Sequence, residues 1–170
     1  MLTLVDMDQE EYQAYIKDSL EEFKRQLLLT GDRTEQEAEE NTRKQILDIL
    51  PDGIKTKGHY FFNIMDEAVK KKIGNLWVAV KSGDDELPTV FIYDIMIDAD
   101  FRGKGYGKKT LTGVEEFARE HQANKIFLHV FAHNQIAFDL YKKIGYRIVR
   151  EFKDIKEERI LSYRMVKEIE

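Results

Sequence analysis

The 170-residue sequence is 42% hydrophobic and 35% charged, enough apolar material for one compact domain over residues 1–170 and too little polar bias for a disordered chain. Its 27 Lys and Arg against 32 Asp and Glu give a formal net charge of −5, a field that repels polyanions and argues against broad nucleic-acid coating. With no cysteine anywhere, disulfides, thiolate metal sites and cysteine nucleophiles are excluded.

The opening MLTLVDMDQEEY has neither a basic leader nor a long apolar run, so no secretion signal or membrane span is expected and the chain reads as cytoplasmic. LTLVDM, residues 2–7, alternates as a short strand. The acidic DQEEY then suits the positive end of a helix that starts near Asp8 and runs to Gly31, with Tyr12, Tyr15, Ile16, Leu20, Phe23 and Leu27 at helical spacing. A more polar helix follows over residues 34–50 and ends at the Pro51-Asp52-Gly53 turn signal.

Beyond the turn the period changes. HYFFNIM, IGNLWVAV and TVFIYDIMI are β-branched and aromatic runs separated by EAVKKK and SGDDELP, which predicts three hairpin-linked strands. FRGKGYGKK, Phe101 to Lys109, places three glycines and four cations in nine residues just before a helix whose Leu111, Val114, Phe117 and Ala118 share one face. KIFLHVFA is a strand again, a short helix spans Gln135 to Ile144, and YRIVREF and ERILSYRMV close the chain as two strands. The order β-α-α-β-β-β-α-β-α-β-β predicts an α/β fold: a mixed, mostly antiparallel sheet with helices on both faces.

A glycine loop between a strand's end and a helix's first turn presents unpaired amides at the positive pole of the helix dipole, which suits a phosphate. Arg102, Lys104 and Lys108 add charge around it, Arg102 with a bidentate fork. The letters fail the Walker A pattern, because Arg102 stands where the first glycine belongs and Lys109 where the hydroxyl belongs. They fail the dinucleotide pattern GxGxxG as well. KGYG matches the first half of an RNA-recognition signature, but the second half is KKTL at helical spacing. A single-strand RNA binder therefore stands as a rival that the charge and this half-match disfavour.

RxxGxG, as Arg102, Gly105 and Gly107 after the strand IYDIMIDADF, resembles the acetyl-CoA loop of the GNAT family of N-acetyltransferases. LHVFAHNQIAFDLYKKIGYRI, Leu128 to Ile148, is similar to that family's second signature, NxxAxxxYxxxGY after a strand. The resemblance covers about Phe61 to Val166, and IGNLWV and HVFAHNQ resemble its YycN-like bacterial branch. It implies acetyl-CoA as donor and direct transfer to a primary amine of a small molecule or peptide, with no metal and no nucleic-acid or membrane partner. The molecule is expected to be a monomer or homodimer. A regulator that binds coenzyme A without turnover is the alternative within the same resemblance.

By resemblance, Ile95, Met96 and Ile97 offer main-chain groups to the pantetheine arm and an amide near Met96 or Ile97 supports the oxyanion. The pyrophosphate lies on the amides of Arg102, Gly103, Lys104, Gly105, Tyr106, Gly107 and Lys108. Tyr141 falls on the family's general acid; its other reading is core, on the apolar face it shares with Ala137, Leu140 and Ile144. Asn134 is expected both to contact the cofactor and to cap the helix at Gln135, with Ala137 and Phe138 as further cofactor contacts. The base is His129 or Asp94. His129 and His133 lack a third metal ligand. The acceptor pocket is expected between the first two helices and the strands from His59 to Val80, with Tyr12, Tyr15, Phe61, Phe62, Trp77 and Tyr93 among its aromatics.

Overall fold

A computed structural model describes residues 1–82 and 87–170. Part of the expected SGDDELP connection, residues 83–86, lies outside the described residues. In chain order the elements are β1 (Leu2–Asp6), α1 (Gln9–Leu29), α2 (Glu35–Ile49), β2 (His59–Asp66), β3 (Lys71–Lys81), β4 (Thr89–Ile97), α3 (Tyr106–Glu120), β5 (Lys125–Phe131), α4 (Gln135–Lys143), β6 (Arg147–Lys153) and β7 (Ile160–Glu168). Short 3-10 turns at Gly53–Lys55 and Ala99–Phe101 are the additions to the expected order. No helix among the described residues is long and apolar enough to cross a membrane.

The helices start where side chains satisfy their first amides. Asp8 and Glu11 form a reciprocal capping box on α1, and Thr34 and Glu37 do the same on α2. The seven strands form one sheet in the order β1-β2-β3-β4-β5-β7-β6. Every neighbouring pair is antiparallel except β4 and β5, and a parallel pair requires a long crossover, here supplied by α3. The closing hairpin places β7, not β6, against β5, an order that the spacing of the runs does not encode.

Alternation along the strands sorts side chains onto two faces. Phe62, Ile64, Leu76, Val78, Ile92, Ile126, Leu128 and Met165 pack against Leu111, Val114, Phe117 and Ala118 of α3 and Tyr141 of α4. Phe61 and Trp77 face the other way, onto Tyr12 and Tyr15 of α1 and Leu50. Phe62 thus lies on the α3 face, away from the acceptor pocket expected for it, because its neighbour Phe61 takes the α1 face. Tyr12, Tyr15, Phe61 and Trp77 are buried as core.

Two irregularities open the middle of the sheet. β4 and β5 pair only from Thr89↔Lys125 to Ile92↔Leu128, although β4 continues to Ile97 and β5 to Phe131. On the other edge of β4 the register jumps from Val78↔Ile92 to Trp77↔Asp94, which leaves Tyr93 as an extra residue. Such a bulge bends its strand and increases the local twist, so the second half of β4 turns away from β5 and a fork results. Gly74 of β3 permits the turn: a Cβ there would lie 2.0 Å from the Met96 carbonyl oxygen.

Candidate active site

The glycine loop leads into α3 at the wide end of the fork. Gly103 and Gly105 have φ of 72° and 78°, the left-handed region that costs a side chain about 1–2 kcal/mol. Nothing lies within 4 Å of where a Cβ on either would project, so the backbone is open to a close approach from outside. α1, α2 and α4 each carry a side-chain cap, whereas α3 starts on Gly105 with no side-chain cap and no acid in its first turn. None of the six N–H groups from Gly103 to Lys108 donates to a carbonyl or side chain of the described residues. Six adjacent donors at a helix's positive pole make an anion site.

The loop's cations hold its shape. Arg102 Nε donates to the Ile97 carbonyl at 2.8 Å and Lys104 Nζ to the Asp100 carbonyl at 2.8 Å. Ile97 therefore has its carbonyl engaged at the rim of the fork. Tyr106 reaches across to β2, its hydroxyl donating to Asp66 Oδ2 at 2.6 Å. Gly107 brings α3 against α4, since a Cβ there would sit 3.2 Å from Leu140 Cδ2.

Tyr93 to Ile97 line the β4 arm of the fork with no β5 partner opposite. Asp94 lies next to the bulge, under α1. Tyr15 donates to Asp94 Oδ2 at 2.8 Å, and Ser19, one helical turn on, lies 3.5 Å from the same oxygen. Desolvation raises the Asp94 pKa, hydrogen bonds from Tyr15 and Ser19 oppose this, and the negative charge of Glu22 adds to the rise. Burial, with Asp94 second, likewise raises Tyr15 well above the ordinary phenol.

Tyr141 projects from α4 on the opposite face of the sheet and is 7% exposed. Its hydroxyl makes no hydrogen bond to the described residues. Burial raises its pKa, and the next contribution is the charge of Asp94. Tyr141 belongs to the α3–α4 core, the second of its two readings, and its hydroxyl has no partner among the described residues. Asn134 caps α4, accepting from the Ala137 amide at 3.3 Å. Ala137 and Phe138 are half-buried on the same helix, with the Phe138 ring 4.8 Å from that of Tyr163.

His129 is the first β5 residue beyond the last β4 pair. His129 is exposed, with its ring edge-on to those of Phe131 and Phe152 at 5.1 and 5.8 Å. Desolvation, followed by the charge of Arg164, lowers its pKa to about 4. His133 points elsewhere, bonded to Gln26 and stacked on Phe131.

The structure therefore gathers Ile95, Met96, Ile97, Asp94, His129 and Tyr141 at the fork and Arg102 to Lys108 at its mouth. Sequence reading missed Ser19 and Glu22, which flank Asp94, and Arg164, which flanks His129. The i, i+4 spacing of Tyr15 and Ser19 places two hydroxyls on the buried face of α1, and a polar residue on a core-facing stripe is the signal that was available.

The family model for the acetyltransferase (GNAT) family matches residues 25–146. The uncharacterized N-acetyltransferase YdgE of Bacillus subtilis is 37% identical over 144 residues, 85% of this chain and 90% of its own length. YycN of the same organism is 30% identical over 86% of this chain and 92% of its own. The crystal structure of YycN superposes with a TM-score of 0.84 at 28% identity, covering 92% of this chain and 98% of that one. A spermidine N-acetyltransferase from Vibrio cholerae, solved with CoA and spermine, shares the fold at a TM-score of 0.64 and 19% identity, covering 98% and 95% of the two chains.

Proposed function

The chain belongs to the acetyltransferase (GNAT) family, and from that premise we propose that it is one cytoplasmic domain, residues 1–170, that transfers the acetyl group of acetyl-CoA directly to a primary amine of a small molecule or peptide. The six unpaired amides from Gly103 to Lys108 carry this reading. They fit a diphosphate, and the two left-handed glycines leave room for it to come close. The uncovered edge of β4 at Ile95 and Met96 fits the amide-bearing arm behind that diphosphate. When bound, acetyl-CoA supplies a thioester-activated acetyl group; every other requirement falls to this chain.

The first requirement is a neutral amine. An amine of pKa about 10.4 costs roughly 4.6 kcal/mol to neutralise at pH 7, whereas an α-amino group near 7.8 costs about 1 kcal/mol. Asp94 suits the task better than His129. Its pKa is pushed up, so it holds a proton more readily than an ordinary aspartate, while His129 is pushed down to about 4. Asp94 also communicates with Tyr141, and His129 is absent from the influences on that phenol.

The two protons are thereby linked. Burial first and ionised Asp94 second raise the Tyr141 pKa and keep the phenol protonated. Once Asp94 has taken the amine's proton that charge is gone, and Tyr141 becomes more acidic at the moment the departing thiolate needs a proton. Asn134, Ala137 and Phe138 line the start of α4 toward the same arm, with Asn134 spending one oxygen on the cap and retaining its amide N–H groups.

Calorimetric titration with acetyl-CoA and thiol release across a panel of amines test the assignment. Gly105→Glu places a carboxylate among the six amides and is expected to weaken acetyl-CoA binding at least tenfold. Tyr141→Phe is expected to lower kcat about 100-fold with binding unchanged. Binding undiminished in Gly105→Glu removes the loop from the site. Binding without thiol release for any amine leaves a regulator instead of an enzyme.

A further inference from the structure

We propose that the amine acceptor also carries an oxyanion, a carboxylate or phosphate, held by Arg164 and Arg150 beside His129. The proposal rests on the acetyl-transfer reading and names the substrate class for the same site. On the α1 face of the sheet, the register sets Arg150 of β6 opposite Arg164 of β7 and Arg164 opposite His129 of β5. Like charges directly opposite one another destabilise a strand pair. Neither arginine forms an ion pair with a carboxylate among the described residues.

Arg164 Nε is buried and has no hydrogen-bond partner in the described residues. Aromatic rings flank these cations. The Arg164 guanidinium lies 5.7 Å from the Phe91 ring centroid and 5.9 Å from that of Phe152, and Arg150 lies 4.8 Å from Phe152. Neighbouring aromatic rings favour the cations without using up an N–H donor, and those donors are the part of arginine that reads a planar or tetrahedral oxyanion.

The location ties this anion site to catalysis. His129 borders the fork on one side and Arg164 on the other, and two strand spacings of about 4.8 Å separate β7 from β4. An anion on Arg164 thus leaves an amine tethered by a short chain at Asp94. A polycation such as a polyamine meets two unneutralised arginines there and is rejected.

The test uses the full-length protein, acetyl-CoA and linear ω-amino acids of one to seven methylenes, with ω-aminoalkyl phosphates as a second arm and the matching ω-amino amides as uncharged controls. For at least one length, kcat/KM for the anionic amine is expected to exceed that of its amide at least tenfold. Arg164→Met should reduce the ratio to within about twofold without altering acetyl-CoA affinity, which also reports that the variant is folded. Arg164→Lys, which keeps the charge and loses the fork, should retain part of it. The arm with the larger ratio identifies carboxylate or phosphate. Equal turnover of acids, phosphates and amides by the wild type overturns the anion site and leaves acetyl transfer standing. Binding of the acids by calorimetry that depends on Arg164, with no turnover, keeps the anion site and overturns the transfer reading. No Arg164-dependent binding or preference overturns the proposal.

Discussion

Asp94 receives opposing influences from a single helix. Tyr15 and Ser19 donate to its carboxylate and favour the charged form, while Glu22, on the next turn of α1, opposes it. The signs can be separated by substitution. Tyr15→Phe removes a donor to the ionised form, raises the Asp94 pKa and should move the acidic limb of kcat/KM to higher pH. Glu22→Gln removes a negative neighbour, lowers that pKa and should move the limb to lower pH. Asp94→Asn should cost about 100-fold or more in kcat/KM and abolish the limb. A pH profile in which the first two variants shift in the same direction contradicts Asp94 as the base and returns His129 to that role.

At the level of elements, the glycine loop and α4 were legible because their chemistry is written in short motifs: glycines where φ is positive, cations around them, and an asparagine, an alanine and a tyrosine at fixed spacing on one helix. The fork was not legible. It depends on a register jump at Tyr93 and on a carbonyl that crowds Gly74, and neither leaves a period in the sequence. Arg150 and Arg164 are fourteen positions apart, counting from their numbers, and meet only through the β6–β7 register. Gly74 can be tested by itself. Gly74→Ala brings a methyl into the Met96 carbonyl, an overlap that costs about 1–3 kcal/mol when a packed strand pair must shift. The expected result is a melting temperature lower by roughly 2–12 °C, together with weaker acetyl-CoA binding. An unchanged melting curve would show that β3 and β4 need no such close approach.

Across the whole molecule, the sheet separates two sets of candidate groups. α3, α4 and, from the glycine loop, Phe101 and Tyr106 lie with the core packed on one face, and α1, Asp94, His129 and the arginine row occupy the other. Groups on opposite faces with no shared partner should contribute independently. Arg102→Ala and Arg164→Met are therefore expected to combine additively in kcat/KM, within about 0.5 kcal/mol, when the two single variants and the double variant are compared with one anionic amine. Strong non-additivity would mean that the two faces move together.

The four-residue pairing of β4 with β5 has a kinetic corollary. Because the strands part after Ile92 and Leu128, the gap joins the α3 face of the sheet to the α1 face, and under the proposed transfer each reactant can approach from its own side. On that proposal donor and amine would be resident together, each product would leave on the face its parent entered, and no acetylated form of the protein would be expected between turnovers.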